Sequence, residues 1–369
     1  MQETDAVRNA RRELEICNAC RYCEGFCAVF PAVELRREFS AGDLGYLANL
    51  CHNCKGCYYA CQYAPPHEWG INVPRTLAEV RAESYAEYAW PPSLATMFNR
   101  NGTVVSLVVA LGIAVVLILG MLLNAPDNFF GSHDMAAGAF YEIIPLWVLQ
   151  VVGIASLGFS LVALWMGARN FWRDAGPRQK IGPVAVAIAA WDVLSLKNLG
   201  GGGHGCNNNS EAFSLRRRHL HHAMFYGFLL CFAATTTGFI YHAFLGWPAP
   251  YRFISVPVLL GSVGGVLMLV GTIGLFAMKL VDDPIPAARR LLGGDVALLL
   301  LLALIALTGL ALLAVRATGA MGLVMAVHLG CVLAFFVVLP YSKMVHGVYR
   351  SAALLRRAVE RNMKPLGGE

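Results

Sequence analysis

Eight cysteines near the start of the chain form two copies of one spacing, Cys-x2-Cys-x2-Cys-x3-Cys. In this pattern three thiolates of one copy bind three irons of a [4Fe–4S] cluster, and the fourth thiolate binds the other cluster. The spacing therefore predicts two [4Fe–4S] clusters with crossed ligands. The ligands of the first cluster would be Cys17, Cys20, Cys23 and Cys61, and those of the second would be Cys51, Cys54, Cys57 and Cys27.

Structural zinc is the alternative metal that these thiolates could bind, because Cys-x2-Cys is also a common zinc knuckle. A zinc ribbon pairs two knuckles across a longer loop, so a third cysteine two residues further on has no place in its tetrahedron. Iron–sulfur clusters are therefore favoured. Bacterial ferredoxins usually place proline after the fourth cysteine, whereas Ala28 and Gln62 stand there in this chain. This departure affects local detail and leaves the number of ligands unchanged.

Histidines in the apolar part of the chain are the second set of candidate ligands. His221 and His222 open one apolar run and His242 closes it, while His328 and His346 lie near the start and end of another. If the two runs are antiparallel helices, His221 or His222 shares one level with His346, and His242 shares the other level with His328. Two levels, each with an imidazole from two helices, are what bis-histidine haem b requires. One or two b haems are therefore predicted.

Helical geometry addresses which of the adjacent histidines binds. His328 and His346 are eighteen residues apart, which is five turns of a continuous helix, so both would point the same way. Relative to His242, His221 is about 60° out of line and His222 about 160°. His221 is favoured and His222 remains the alternative. In the competing interpretation these histidines are satisfied polar residues that bind no iron.

Other cysteines and histidines fit neither set. Cys231 and Cys331 lie among apolar neighbours and are predicted to be packing residues. His133 has no partner in the haem scheme and is predicted to lie at the surface. Cys206 and His204 lie in a long connection, where they could contact a cofactor or a quinone or belong to an ordinary exposed loop.

Composition indicates two unlike parts. The 369 residues are 57% hydrophobic and 14% charged, which is too apolar for an ordinary soluble domain. Residues 1–100 hold ten Lys and Arg against twelve Asp and Glu, so the net charge of +6 comes from the apolar part, and nucleic acid is not indicated as a partner. The charged start predicts no signal peptide, and the cysteines are expected to be thiolate ligands in a reducing compartment.

Six apolar runs are long enough to cross a bilayer, which takes about 20 residues. They are Val104–Leu123, Ile143–Met166, Ala223–Leu245, Val256–Met278, Val296–Val315 and Met321–Val345. A shorter run from Ile181 contains Pro183 and is predicted to lie on or near the membrane surface.

Positive charge predicts the orientation of these spans. Segments 169–222, 279–295 and 350–369 hold sixteen Lys and Arg residues, whereas the connections on the opposite side hold only Arg252 and Arg316. Because positive residues accumulate on the cytoplasmic side, both termini and the cysteine domain are expected in the cytoplasm, at a bacterial inner membrane.

The predicted fold is therefore an N-terminal α-helical, ferredoxin-like 2[4Fe–4S] domain followed by an all-α six-helix transmembrane bundle. Residues 1–100 are assigned to the cytoplasmic cluster domain and residues 101–369 to the haem b membrane domain. The segment 169–222 is expected to form a long cytoplasmic loop. Its run Gly200–Gly203 is not followed by Gly-Lys-Ser/Thr, so it is interpreted as a turn and not as a nucleotide site.

Three segments carry a family likeness, together with the two cysteine units and the six spans. They are "LGGGGHGC", "RRRHLHHAMFYGFLLCFAATTTGFIYH" and "GWPAPY". From its first cysteine to its last helix, the chain resembles the tricarballylate-utilisation B proteins, the CitB-type membrane iron–sulfur proteins. Its membrane half resembles, more weakly, the haem-b gamma subunit of respiratory nitrate reductase. Similar sequence forms the rear portion of a fused flavoprotein of cobalamin biosynthesis.

The resemblance implies a partner flavoprotein that dehydrogenates tricarballylate to cis-aconitate and leaves its FAD reduced. This chain would then reoxidise the flavin and pass electrons through two clusters and haem b to the quinone pool in the lipid bilayer. The alternatives are the same role for another flavoprotein, acting on a different tricarboxylate or a corrin precursor, and a redox-sensing membrane protein without haem. No catalytic residue is assigned, because the cofactors carry the redox chemistry.

Overall fold

The computed structural model describes residues 1–133, 137–177 and 179–363. Two of the sixteen positive residues counted above, Arg178 and Lys364, lie outside the described ranges. The last five residues of the predicted membrane domain, 365–369, also lie outside them.

Five helices form the N-terminal domain. They are α1 (Asp5–Cys20), α2 (Phe30–Val33), α3 (Ala41–Leu50), α4 (Gly56–Tyr59) and α5 (Val73–Tyr88). A capping box at Ser40 and Asp43 fixes the start of α3, because each side chain bonds the backbone N–H of the other residue. Helix α3 ends one residue before Cys51, and α1 contains Cys17 and ends at Cys20. The ends of these two helices therefore set the positions of both cysteine units.

The remainder of the described chain is also helical. The helices are α6 (Asn101–Leu123), α7 (Pro126–Phe129), α8 (Ala139–Ile143), α9 (Leu146–Asp174), α10 (Pro183–Leu194), α11 (Arg216–Leu245), α12 (Val256–Leu280), α13 (Leu292–Val315), α14 (Met321–Val338) and α15 (His346–Met363). Short 3₁₀ helices cover Pro92–Phe98, Lys197–Gly200, Arg289–Leu291, Leu339–Tyr341 and Lys343–Val345. Two short antiparallel strands, β1 (Cys206–Asn207) and β2 (Phe213–Ser214), pair Cys206 with Ser214 and Asn207 with Phe213.

Six of the helices in the described ranges are long and apolar enough to cross a membrane: α6, α9, α11, α12, α13 and α14. The predicted fold class is confirmed, and the chain is a multi-pass membrane protein. Helix α10 corresponds to the short run from Ile181. It buries Ala185 and Ala189 against Ala358 and Val359, and leaves Trp191 exposed.

The predicted end of the sixth span is wrong. Helix α14 stops at Val338, seven residues before the predicted end at Val345. Pro340 has no N–H to donate and cannot continue the helix, and Ser342 has an extended backbone at φ −115° and ψ 176°. His346 is therefore the first residue of a separate helix, α15, and does not share a continuous helix with His328.

Helix α15 completes the core of the N-terminal domain. Its residues Tyr349 and Ala353 pack with Leu47 and Val80, and Phe171 of α9 joins the same cluster. Buried charges strengthen this contact. Glu360 of α15 lies 2.8 Å from Arg36 Nη2 and accepts a hydrogen bond from the Tyr46 hydroxyl at 3.1 Å. Apolar burial and ion pairs thus hold α15 against the cysteine domain, and Phe171 packs the end of α9 into the same cluster.

Glycines bring two pairs of membrane helices into close contact. A Cβ on Gly227 of α11 would lie 2.5 Å from the backbone nitrogen of Met268 on α12. A Cβ on Gly330 of α14 would lie 2.6 Å from the Cα of Ile113 on α6. Small residues allow this approach, which in a membrane supplies much of the packing energy. Helix α13 packs against α6, α12 and α14, and a cavity remains between α11 and α14.

Candidate cofactor-binding sites

The eight cysteines of the two repeats line two separate cavities. One cavity, of about 190 Å³, is lined by Cys17, Cys20, Cys23 and Cys61. The other, of about 20 Å³, is lined by Cys27, Cys51, Cys54 and Cys57. Each cavity thus takes three cysteines from one repeat and the fourth from the other repeat. These are the same two sets of four that the spacing predicts as crossed ligands.

Local backbone geometry turns amide groups toward the sulfur atoms. The N–H of Val29 donates to Cys27 Sγ and the N–H of Asn53 donates to Cys51 Sγ, each at 3.4 Å. Asn53 has a φ of 55°, a left-handed conformation that is uncommon outside glycine. Such amide–sulfur hydrogen bonds stabilise negative charge on a thiolate and tune the potential of a bound cluster.

The thiols need a positive partner to ionise. Burial raises the pKa of Cys23 to about 12 and that of Cys54 to about 11, and the neighbouring thiols act in the same direction. Because a bound metal deprotonates a coordinating thiol outright, a metal cluster would remove this penalty. In the described ranges no three His, Cys, Asp or Glu side chains converge on a point where one ion could bind. A cubane distributes its thiolates over four irons, so its ligands need not converge in that way.

Two of the predicted haem ligands lie side by side. The ring centroids of His221 on α11 and His346 on α15 are 6.3 Å apart, with an interplanar angle of 83°. His346 Nδ1 donates to the carbonyl oxygen of Lys343 at 2.6 Å, so in the neutral ring the lone pair is on Nε2. Burial lowers the pKa of His346 well below its usual value, so this ring is neutral, as a ligand must be.

The adjacent histidine has a different environment. The His222 ring lies 3.0 Å, at Nε2, from the carbonyl oxygen of Ser195 in the long connection. By contrast, Nδ1 of His221 is buried and has no hydrogen-bond partner within the described part of the chain. The structure therefore pairs His221 with His346 and directs His222 toward Ser195.

The second predicted pair is not brought together. His242 packs edge-on against Tyr141, with ring centroids 5.1 Å apart. His328 Nδ1 lies 3.0 Å from Thr308 Oγ1, and a Cβ on Gly309 would lie 3.0 Å from Cε1 of the same ring. No ring contact joins His242 to His328 among the residues that are described. Both remain candidate ligands by prediction alone.

A large apolar cavity lies beside His328. Its volume is about 590 Å³, within the usual range of 300–1,000 Å³ for cofactor pockets, and its walls come mainly from α9, α11, α12, α13 and α14. A smaller cavity of about 120 Å³ lies at His221 and His346. Phe228 and Leu302 line both cavities, so the cavity at the two rings lies next to the larger one. This combination of two facing imidazoles and an apolar cavity fits haem b.

Neighbouring cavities share walls from the cysteines to the membrane. Phe30 lines both cysteine cavities, and His52 lines both the second cysteine cavity and the cavity of His221 and His346. His52 Nδ1 donates to the carbonyl oxygen of Leu50 at 2.8 Å. His52 was not among the predicted site residues, because its position directly after Cys51 does not by itself indicate a second cavity.

The long connection covers the second cysteine unit. The N–H of Asn207 donates to the carbonyl oxygen of Cys54 at 2.9 Å, and Arg217 donates to that of Asn53 at 2.6 Å. Lys55 reaches Asp282, on the connection after α12, at 2.5 Å. These bonds hold the start of α11 and the connection after α12 against the second cysteine unit.

The other cysteines and histidines named from the sequence lie outside the two cysteine sets and the histidine pair. Cys206 is fully buried and its thiol donates to the carbonyl oxygen of Leu199 at 3.2 Å, while Cys331 is also fully buried. Cys231 lines the large apolar cavity. His204 packs beside Phe213. The predicted surface residue His133 is only partly exposed, because its ring lies against Asn128 and Glu142.

Comparison with known proteins finds two family models that match successive parts of the chain. The family model described as citrate utilization protein B matches residues 98–366, and the model described as citrate utilization protein B Fer4-like domain matches residues 10–87. A citrate utilization protein B from Escherichia coli is 46% identical over 368 residues, which cover 97% of this chain and 93% of that protein. No solved structure matches the chain. The Fer4-like match indicates that the N-terminal domain is of the iron–sulfur type.

Proposed function

Because the chain belongs to the citrate utilization protein B family, we propose that it is a membrane-bound electron-transfer protein that reoxidises the reduced FAD of a partner dehydrogenase. The partner acts on tricarballylate, or on another tricarboxylate, and the electrons pass to the quinone pool. Two [4Fe–4S] clusters and at least one b haem supply one-electron redox chemistry when bound, while the protein spaces and tunes them.

The series of cavities with shared walls is the observation that carries this proposal. It begins at Cys20, which is exposed at the surface, and continues past Phe30 and His52 to His221 and His346. Each cavity is lined by side chains that bind iron in proteins, thiols in the N-terminal domain and imidazoles at the membrane. Such an order suits transfer of electrons from a soluble partner to an acceptor in the bilayer.

The residues have distinct roles in this proposal. Each set of four cysteines holds one cluster, and amide groups such as that of Asn53 stabilise the negative charge on the thiolates. His221 and His346 hold a b haem, and the carbonyl oxygen of Lys343 fixes the orientation of the His346 ring. His242 and His328 hold the second haem if two are bound.

Cofactor analysis of the purified protein tests the proposal. Protein purified anaerobically in detergent is expected to contain about eight non-haem irons with matching acid-labile sulfide, and to show reduced b-haem bands after dithionite. The reduced FAD of the partner is expected to reduce the protein, and added quinone to reoxidise it. Zinc without sulfide, or a protein that reduced partner flavin leaves oxidised, would overturn it.

A further inference from the structure

A third kind of cavity lies where the N-terminal domain meets α6 and α13. It has a volume of about 1150 Å³ and is separate from the cysteine and histidine cavities. We propose that this cavity binds the ring of an isoprenoid quinone and is where that quinone is reduced. The inference rests on the proposed function and goes further by naming the acceptor site.

The inner wall of the cavity is polar. Asp295 accepts a hydrogen bond from Lys279 at 2.5 Å and another from Lys343. Lys343 lines the cavity with 31% of its side-chain surface accessible, and Asp295 is the only bonded partner of its ammonium group among the described residues. An ammonium group has three donors, so Lys343 has donors left for a carbonyl oxygen of a ligand.

The outer wall of the cavity belongs to the membrane. Thr103 and Ser106 of α6 line it from one side, and Val296 and Leu300 of α13 line it from the other. Leu300 is 53% exposed on a helix that spans the bilayer, so the cavity is continuous with the lipid-facing surface. A ligand with a polar ring and a long apolar tail therefore matches both walls. A small soluble anion would leave the apolar wall without a partner.

Two bonds connect the cavity to the candidate electron donors. Lys343, which lines it, accepts at its carbonyl oxygen the hydrogen bond from His346 Nδ1. Arg81, which also lines it, donates to the carbonyl oxygen of Cys51 at 2.7 Å. Reduction of the quinone to quinol takes two electrons, which originate in the reduced flavin of the partner. Glu87 and Arg290, which line one end of the cavity, are exposed, so water at that end can supply the two protons.

A phospholipid headgroup is the competing occupant, because it also combines polar and apolar parts. Positive and negative side chains on the wall of the cavity nearly balance in number. The positive ones are Arg81, Arg100, Arg290 and Lys343, and the negative ones are Glu83, Glu87 and Asp295. An anionic headgroup gains little from such a wall, whereas an uncharged quinone ring needs only donors. The balance therefore favours the quinone.

A photoreactive azidoquinone tests the assignment on the cofactor-loaded protein in detergent. Labelling is expected on peptides covering residues 98–106 or 290–300, and Ser106→Trp is expected to reduce it by about tenfold or more by filling the cavity. Ser156→Trp is the matched control, because Ser156 also bonds the carbonyl oxygen four residues earlier on a membrane span and lies away from this cavity. Both variants should keep the cofactor spectra of the parent protein, and Leu300→Phe replaces Ser106→Trp if the latter does not fold.

Label on other peptides, equal labelling of Ser106→Trp, or a co-purified phospholipid that blocks labelling would overturn the site. Reoxidation kinetics separate this result from failure of the proposed function. If quinone reoxidises the reduced parent protein and Ser106→Trp equally fast, only the site is wrong. If quinone does not reoxidise the parent protein at all, the proposed function itself is wrong.

Discussion

The ring centroids of His221 and His346 lie 6.3 Å apart, although the two residues are 125 positions apart in the chain. A metal–imidazole bond in proteins is about 2 Å long. The two rings therefore lie close enough together for one bound group to contact both. The rings belong to different parts of the protein, since α11 spans the membrane and α15 packs on the N-terminal domain. A ligand held by both would connect the two parts.

Replacing His221 and His222 separately with alanine tests which of the two binds haem. His221→Ala is expected to abolish the absorbance of the haem that this residue shares with His346, because one axial ligand is lost. His222→Ala is expected to retain it, because the His222 ring contacts the carbonyl oxygen of Ser195. Reduced-minus-oxidised spectra of both purified variants, normalised to protein, measure the effect. The assignment is wrong if His222→Ala loses the haem and His221→Ala keeps it.

Crossed ligation makes a prediction for pairs of cysteines in different repeats. Cys17→Ser and Cys61→Ser are expected to alter the same cluster signal, and Cys27→Ser and Cys57→Ser the other, because each pair lines one cavity. Electron paramagnetic resonance of the reduced variants distinguishes the two clusters.

The control for the cysteine series is a buried cysteine far along the chain. Cys331→Ala is expected to leave about eight irons bound, since Cys331 lies mid-span in α14. If Cys61→Ser instead altered the signal that Cys57→Ser alters, each repeat would bind its own cluster and the crossed assignment would be wrong.

Sequence alone was sufficient for the local features and insufficient for the tertiary ones. The spacing of the cysteines and the length of the apolar runs are local, so the fold class could be predicted and is confirmed. The end of the sixth span was missed because the predicted run was drawn to Val345, across Ser342 and Lys343, whereas the helix ends at Val338 before Pro340. The prediction that His328 and His346 point the same way assumed one continuous helix, so it does not hold once α14 and α15 are separate helices. His52 was missed because only the packed structure places it between two cavities.

Glu360 is predicted to be essential for attachment of α15 to the N-terminal domain. It is 8% exposed and lies between Arg36 and Arg356, at 2.8 Å and 3.2 Å. Glu360→Gln removes the charge that both guanidinium groups face, and loss of one partner from a buried pair costs about 3–5 kcal/mol. We expect a lower thermal unfolding midpoint and faster loss of iron on warming.

A surface ion pair supplies the comparison for Glu360. Arg8 is 58% exposed at its side chain and pairs with the more exposed Asp5. Arg8→Gln should cost less than about 1 kcal/mol, because exposed pairs contribute little. Similar unfolding midpoints for Arg8→Gln and Glu360→Gln would contradict a structural role of the buried pair.

Close packing of α11 against α12 is predicted to position His221. A Cβ on Gly271 of α12 would collide with the backbone nitrogen of Met224 on α11, whereas a Cβ on Gly153 of α9 would meet nothing within 4 Å. The added methyl group of Gly271→Ala must push α11, the helix that carries His221, away from α12. Overpacking of this kind costs about 1–3 kcal/mol of stability. Gly153→Ala makes the same chemical change on a membrane span without a collision. We therefore expect Gly271→Ala to lower both the thermal stability in detergent and the haem content, and Gly153→Ala to change neither. Equal stability and haem content in the two variants would show that the contact between α11 and α12 does not position His221.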